Sequence, residues 1–319
     1  MPLLLEQTEE PLVARGGLVV VHEMAQALGI PQAVDKELPS PGSGRGYKPS
    51  QFVMPVLLMF HGGGRKLEDL RELEGEASLR ELLGMKALPA SCTVGDWLRR
   101  MGRDGRGLWG LGRVNDGVVR RVLEADSRQE YTLDTDATVI ESEKEEAQWT
   151  YQKEKGYQPL VGFLFEAGLV LHDEFRDGNM PAGAGAVPFL KGCRQRMPRG
   201  KRIGYLRSDS AFYQAGVFNW CEDKDDRVLF TITADQDKAV KEVIKTIREW
   251  RVFRGDREIG ETVHTMNDTL EAFRLVVQRW PKRQLELFDP DPYEYRAIST
   301  NREEEADEVV DLHNQRGEA

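Results

Sequence analysis

The 319-residue sequence is poor in several things, and each shortage excludes a class of protein. Its three cysteines, Cys92, Cys193 and Cys221, are too widely spaced for a disulfide framework and read as small buried hydrophobes rather than nucleophiles. Its five histidines are scattered without the spacing of a zinc site. The longest apolar stretch, Phe52 to Phe60, is interrupted by Pro55 and falls far short of the ~20 residues that span a bilayer. The opening MPLLLEQTEE has no basic leader and turns acidic at once, so no secretory signal is expected and a cytoplasmic location is. There is no internal repeat and no low-complexity tract. Positive charge is also in deficit, with 44 Lys and Arg against 54 Asp and Glu and a net charge of −10. Any nucleic-acid role therefore needs a local basic patch.

What is present suits an ordinary globular chain of about two domains, with 40% apolar and 31% charged residues. Apolar residues recur at helical spacing from Ser50 to Leu83. Thr93 followed by Asp96 has the form of a capping box, predicting a helix with Trp97 and Met101 on one face and Arg99, Arg100 and Arg103 on the other. After about residue 130 the pattern changes. YTLDTDATVI alternates and is β-branched, predicting a strand over Tyr131 to Ile140. Leu160 to Phe165 and Gly168 to Phe175 predict a hairpin, a Gly/Ala/Pro loop leads into a helix, and RIGYLRSDS predicts a strand ending in a polar turn before a helix over Ala211 to Trp220. Further strands (VLFTITA, AFRLVVQRW, YEYRAIST) surround a helix over Asp237 to Trp250, and the last segment is acidic and helical in pattern. This order is that of an α/β, ribonuclease-H-like core.

The carboxylates carry the chemistry. Residues two apart on a strand share a face, so Asp134 and Asp136 point the same way, opposite Leu133 and Thr135. Two acids on a half-buried face are costly unless something positive pairs with them. Asp209 closes a second apolar strand, and if the two strands are neighbours Asp136 and Asp209 converge. Converging hard oxygen ligands suit Mg²⁺ or Mn²⁺. Taken alone, Asp209 reads rather as a turn former or helix N-cap, and Asp134 as half of a salt bridge.

Four ordered blocks settle between these readings: LDTDATVIESEKEEAQWTYQKEKGYQPL from Leu133, EFRDGNMPAG from Glu174, RSDSAFYQ from Arg207, and the closing HNQRGEA. In them the sequence resembles the DDE-type transposases of bacterial insertion sequences. The resemblance implies a ribonuclease-H-like catalytic core over residues 129–227 and 301–319, a β-rich insertion over 228–300, and an N-terminal helical, DNA-end-binding domain over 1–128. It makes Asp136 and Asp209 the first two catalytic carboxylates and ligands of two Mg²⁺ or Mn²⁺ ions, with Asp134 as a further metal candidate. The third carboxylate belongs to a Tyr-x2-Arg-x3-Glu-x6-Lys helix. His313 takes the Tyr position and Arg316 the Arg position, so the Glu falls immediately after Ala319. Glu318 stands two residues early, about 200° around a helix, and would face away. The chain is thus expected to be C-terminally incomplete and impaired in cleavage. The expected reaction is metal-dependent phosphodiester hydrolysis and strand transfer on double-stranded DNA, at terminal inverted repeats and target DNA, by a homodimer associated with the nucleoid when bound. The other reading is a non-catalytic DNA-binding regulator.

DNA contacts are expected from charge that is local. The run from Lys191 to Arg207 holds Lys191, Arg194, Arg196, Arg199, Lys201, Arg202 and Arg207 and no acid. It precedes Asp209, where a phosphate backbone would pass, or equally it balances nearby acids. Lys153, Lys155 and Tyr157 lie in the first block, Arg316 in the last, and Arg99, Arg100 and Arg103 in the helical domain. His313 is expected to hydrogen-bond or to meet a phosphate. Trp149 and Tyr151 are expected in the core, with stacking on a base as the alternative.

Overall fold

The computed structural model describes residues 13–40, 46–282, 284 and 291–318. Contacts divide the chain into two units, residues 1–121 and 122–319. The first is helical, with α1 (Gly17–Ala27), α2 (Ile30–Glu37), α3 (Pro49–His61), α4 (Leu70–Gly75), α5 (Ala77–Leu82), α6 (Ser91–Arg103) and α7 (Arg106–Ala125). The apolar residues of the Ser50 to Leu83 pattern, among them Phe52, Leu58, Leu70, Leu73 and Leu79, are buried in one core with Val94 and Trp97. Phe52 stacks on Trp97, ring centroids 4.8 Å apart. Thr93 does not cap α6. The extended residue after Pro89, Ala90, is the N-cap, its carbonyl accepts the first helical bond from Val94, and Thr93 lies inside the first turn.

The second unit is built on a nine-stranded sheet. Its strands are β1 (Glu130–Ala137), β5 (Leu160–Leu164), β6 (Leu169–Glu174), β7 (Arg202–Ser208), β8 (Leu229–Thr233), β9 (Arg251–Val252), β10 (Glu258–His264), β11 (Phe273–Pro281) and β12 (Tyr293–Thr300), in the order β6-β5-β1-β7-β8-β12-β11-β10-β9. The predicted hairpin is β5–β6, antiparallel, and β1, β7 and β8 run parallel. Helix α8 (Ala186–Arg196) connects β6 to β7, and α9 (Ala215–Cys221) connects β7 to β8. Three strands up and down followed by two parallel strands through helical crossovers make a ribonuclease-H-like core. β1 ends at Ala137, and a small sheet of β2 (Ile140–Glu141), β3 (Gln148–Trp149) and β4 (Lys155–Tyr157), in the order β2-β4-β3, follows it at once.

β8, assigned from sequence to the insertion, is the fifth strand of the core sheet, bonded to β7. The strands β9 to β12 extend that same sheet through the antiparallel β8–β12 pair. Helix α10 (Lys238–Ile244) ends six residues short of Trp250, and Asp237 is its N-cap, accepting from the Val240 amide at 2.8 Å. The predicted helix from Ala211 is interrupted as well. A short 3₁₀ turn, Ser210–Phe212, precedes α9. Helix α11 (Ala306–Asn314) lays Ala306, Val309 and Val310 against Ile259, Val276 and Ile298 of the sheet.

Candidate active site

β1 is buried on both faces from Tyr131 to Thr135, as a central parallel strand should be. Its register with β7 sets Asp134 opposite Arg207 and Thr135 opposite Ser208. Beyond the last register pair, Thr135 and Ser208, Asp136 continues β1 and Asp209 directly follows β7, near enough for the charge of Asp136 to act on the Asp209 carboxyl. The condition set for the two acids to converge, that their strands are neighbours, is met by the parallel β1–β7 pair. Thr135 Oγ1 and Ser208 Oγ, 2.7 Å apart, tie the strands together on the opposite face.

The two acids differ in surroundings. The Asp136 side chain is 59% exposed, with Arg316 Nη1 at 3.5 Å from Oδ1. Asp209 is partly buried, and its Oδ1 accepts from the Ala211 amide at 3.0 Å, so it is an N-cap as well as a partner of Asp136. Burial pushes the Asp209 carboxyl above the usual range, and the neighbouring Asp136 charge adds to this. The Ala211 amide and Arg316 act the other way. Such mutual repulsion marks a place where positive charge is favourable. Gly183 lets the preceding loop close onto this turn, since a Cβ there would meet the Ala211 carbonyl and the Gln214 amide.

Asp134 is not available as a metal ligand in this arrangement. Both its oxygens are taken by Arg207, Nε to Oδ1 at 2.6 Å and Nη2 to Oδ2 at 2.7 Å, and both side chains are 6% exposed. Arg207 is correspondingly withdrawn from DNA. Its Nη1 donates to the Leu312 carbonyl at 3.0 Å and to Gln315 Oε1 at 3.2 Å, and its guanidinium lies over the Phe165 ring.

The rest of the basic run leads into the start of β7, whereas Asp209 follows its end, so a seven-residue strand of ~20 Å separates the two. Arg194 pairs with Asp223 and Asp226 and covers Trp220, and Arg202 pairs with Glu130 and Asp226. Lys201 donates to the Asp126 and Arg128 carbonyls, and Arg196 to that of Gly192. Lys191 and Arg199 are exposed. The balancing of nearby acids thus describes Arg194, Arg202 and Arg207, while Arg196 and Lys201 bond backbone carbonyls. Lys155 donates to the Lys144 and Glu145 carbonyls, Tyr157 packs on Phe175, and Lys153 is exposed at a left-handed turn. Arg99, Arg100 and Arg103 are exposed on α6, Arg99 in an ion pair with Asp96.

One other expectation is reversed, that for the aromatic pair, and of the two roles expected of His313 the hydrogen-bonding one is seen. Trp149 and Tyr151 are 67% and 70% exposed, because β3 belongs to the small three-stranded sheet and not to the core. They line a cleft of about 580 Å³ together with Met180, Pro181 and the Asp209–Ala211 turn. His313 meets no surface. It is buried between Thr233 Oγ1 at 2.9 Å and Thr231 Oγ1 at 3.1 Å, and burial together with Arg296 and Arg316 pushes its pKa down to about 3. Among the thiols, Cys193 and Cys221 are buried, with burial pushing Cys193 up to about 12, while Cys92 is exposed. No helix among the described residues is long and apolar enough to cross a membrane.

The fold is thus a ribonuclease-H-like core with Asp136 near the carboxyl end of one parallel strand and Asp209 just past the end of its neighbour. The family model for the transposase DDE domain group 1 matches residues 3–319, and the chain belongs to that family. Among solved structures it is similar to a piggyBac transposase, seen by cryo-EM in a synaptic complex with hairpin DNA, at 10% identity and a TM-score of 0.48. The match covers 94% of this chain and 65% of the other, so this chain spans less than two thirds of that transposase. No curated protein matches the sequence.

Proposed function

We propose that the protein is a DNA transposase acting by metal-dependent phosphodiester cleavage and strand transfer, with Asp136 and Asp209 as its metal-binding carboxylates. The observation that carries this reading is that Asp136 lies near the carboxyl end of β1 and Asp209 just past the end of the neighbouring parallel strand β7, within electrostatic reach of each other. The donor set fits Mg²⁺ or Mn²⁺, which bind through one or two carboxylates and fill their shells with water and phosphate oxygens. When bound, such ions supply the Lewis acidity that activates water or a DNA 3′-hydroxyl and stabilises the leaving oxygen. Asp209 is held in place by its bond from the Ala211 amide. Arg316, beside Asp136, is placed to meet the charge of the reacting phosphate. Lys153 and the exposed arginines Arg100 and Arg103 of α6 are the DNA contacts best supported by exposure, the latter reading the element's ends. A homodimer would pair two such ends.

A second reading, a DNA-binding regulator without cleavage, is favoured by one observation. Among the described residues no group of three His, Cys, Asp or Glu side chains comes together at one place. One experiment separates the two: Mg²⁺-dependent nicking of duplex DNA carrying the element's ends. The transposase reading expects nicking that Asp136→Asn and Asp209→Asn abolish. Salt-sensitive binding untouched by these substitutions, without nicking, would establish the regulator.

A further inference from the structure

Beneath the Asp136 and Asp209 pair lies a second acid–base layer, and its contacts reach beyond the two strands. Asp134 and Arg207 are register partners on β1 and β7, each two residues before one of the candidate catalytic aspartates. Their bidentate pair is buried. A planar guanidinium has more donors than one carboxylate uses, and Arg207 spends the remainder on α11. Its Nη1 reaches the Leu312 carbonyl, one of the last four of that helix and so without an intrahelical partner in a helix ending at Asn314. The same nitrogen reaches Gln315 Oε1 in the turn that follows. A cation at this point also opposes the negative end of the helix dipole. The next residue is Arg316, whose guanidinium lies beside Asp136.

We infer that Asp134 and Arg207 form a positioning clasp, which locks the register of β1 against β7 and caps α11, so fixing the spacing of Asp136 and Asp209 and the placement of Arg316 above them. Neither clasp residue touches substrate. The side chains act through the residues one pleat ahead of them. A buried ion pair is weak evidence for stability, because hydrophobic residues of similar volume often replace one at no cost. Geometry is what such a pair can supply and Leu or Met cannot. The clasp's benefit to the metal rests on the proposed role of Asp136 and Asp209, but its capping of α11 does not.

The test uses three variants of the whole chain: the double variant Asp134→Leu with Arg207→Met, Arg207→Lys, and Asp136→Asn as control. Folding is checked by circular dichroism and thermal melting, since the double variant leaves no unpaired buried charge. Two readouts are then taken, Mn²⁺ binding by electron paramagnetic resonance and hydrogen exchange of the backbone amides of residues 312–316. The clasp expects the folded double variant to exchange at least tenfold faster over 312–316 and to bind Mn²⁺ at least tenfold more weakly, with Arg207→Lys restoring part of both. Unchanged exchange in the folded double variant would overturn it, as would unchanged Mn²⁺ binding where Asp136→Asn abolishes binding. If the unaltered chain binds no Mn²⁺, it is the metal role of Asp136 and Asp209 that fails, and the exchange measurement alone decides for or against the clasp. If the double variant does not fold, exchange and Mn²⁺ binding in Arg207→Lys, which keeps the charge but not the fork, decide in the same way.

Discussion

Three rungs of one pair of strands carry acids with very different fates. At the amino end Glu130 faces Arg202 across β1 and β7, with side chains 42% and 44% exposed. In the middle Asp134 faces Arg207, both buried. At the carboxyl end Asp136 and Asp209 lie near each other, and the arginine beside them, Arg316, comes from the turn after α11 and not from either strand. The residue types barely change along this ladder, but burial and partner do. Surface pairs contribute little, buried pairs are costly to break, and like charges brought near each other in a cleft mark a functional-site candidate.

The contrast between the second and third rungs gives the largest effects. Asp136→Asn and Asp209→Asn are each expected to lower cleavage by about 10³-fold or more, the loss that follows from removing a group that stabilises the transition state. The exposure of Asp136 predicts an unchanged melting temperature for its variant. Asp134→Asn is expected to do the reverse first, destabilising the fold by about 3–5 kcal/mol because Arg207 is left buried without its partner. Denaturant unfolding and a nicking assay run side by side separate the two. Equal loss of stability in Asp134→Asn and Asp136→Asn would erase the distinction between the rungs.

His313, on α11 and bonded to Thr231 and Thr233 of the neighbouring strand β8, sharpens the comparison. It is neutral when folded, with a pKa of about 3 against an ordinary 6.5, so the unfolded chain takes up its proton first. Stability from this site is complete above pH 6.5 and is lost as pH falls toward 3, at about 1.4 kcal/mol per pH unit. His313→Gln is expected to flatten that part of the pH–stability curve, measured by urea unfolding between pH 4 and 7. A slope that persists in the variant would assign the acid sensitivity to the carboxylates instead.

A smaller effect concerns Asp209 alone. Its carboxyl is raised by burial and by Asp136 and lowered by Arg316. Asp136→Asn is therefore expected to lower the pKa of Asp209 and Arg316→Ala to raise it, read by carbon-13 NMR of the side-chain carboxyl. Shifts of the same sign in both would mean that the three groups do not face one another.

Much of this site was legible in the sequence. Alternation in YTLDTDATVI placed Asp134 and Asp136 on one face, and the polar end of RIGYLRSDS placed Asp209 at a turn. The expense of two buried acids even called for a cation, and Arg207 stood two residues before Asp209, on the same face of its strand. That partnership needed the β1–β7 register, which depends on the sheet rather than on either segment. The exposure of Trp149 and Tyr151 was not legible, because two-residue strands leave no periodicity and an aromatic pair beside a strand reads as core. Nor was the burial of His313, since imidazole suits a threonine-lined pocket and a surface equally well. The basic run misled for a simpler reason. Adjacency in sequence was taken for adjacency in space, although a strand lies between Arg202 and Asp209.

The first rung gives the smallest effect, and it tests what that basic run does. Arg202 is of the same residue type as Arg207, lies on the same strand and also faces an acid on β1, yet its pair with Glu130 is in solvent. Arg202→Ala is therefore expected to change stability by less than about 1 kcal/mol. It is also expected to leave the slope of DNA affinity against salt concentration unchanged, because its guanidinium is already occupied by Glu130 and Asp226. A phosphate contact would show itself as a slope reduced by about one. That result would mean that DNA displaces Glu130 and Asp226 from Arg202 and that the duplex tracks the whole length of β7. An unchanged slope, together with a reduced one for Lys153→Ala, would confine the bound phosphates to the carboxyl end of the strands, where Asp136 and Asp209 are.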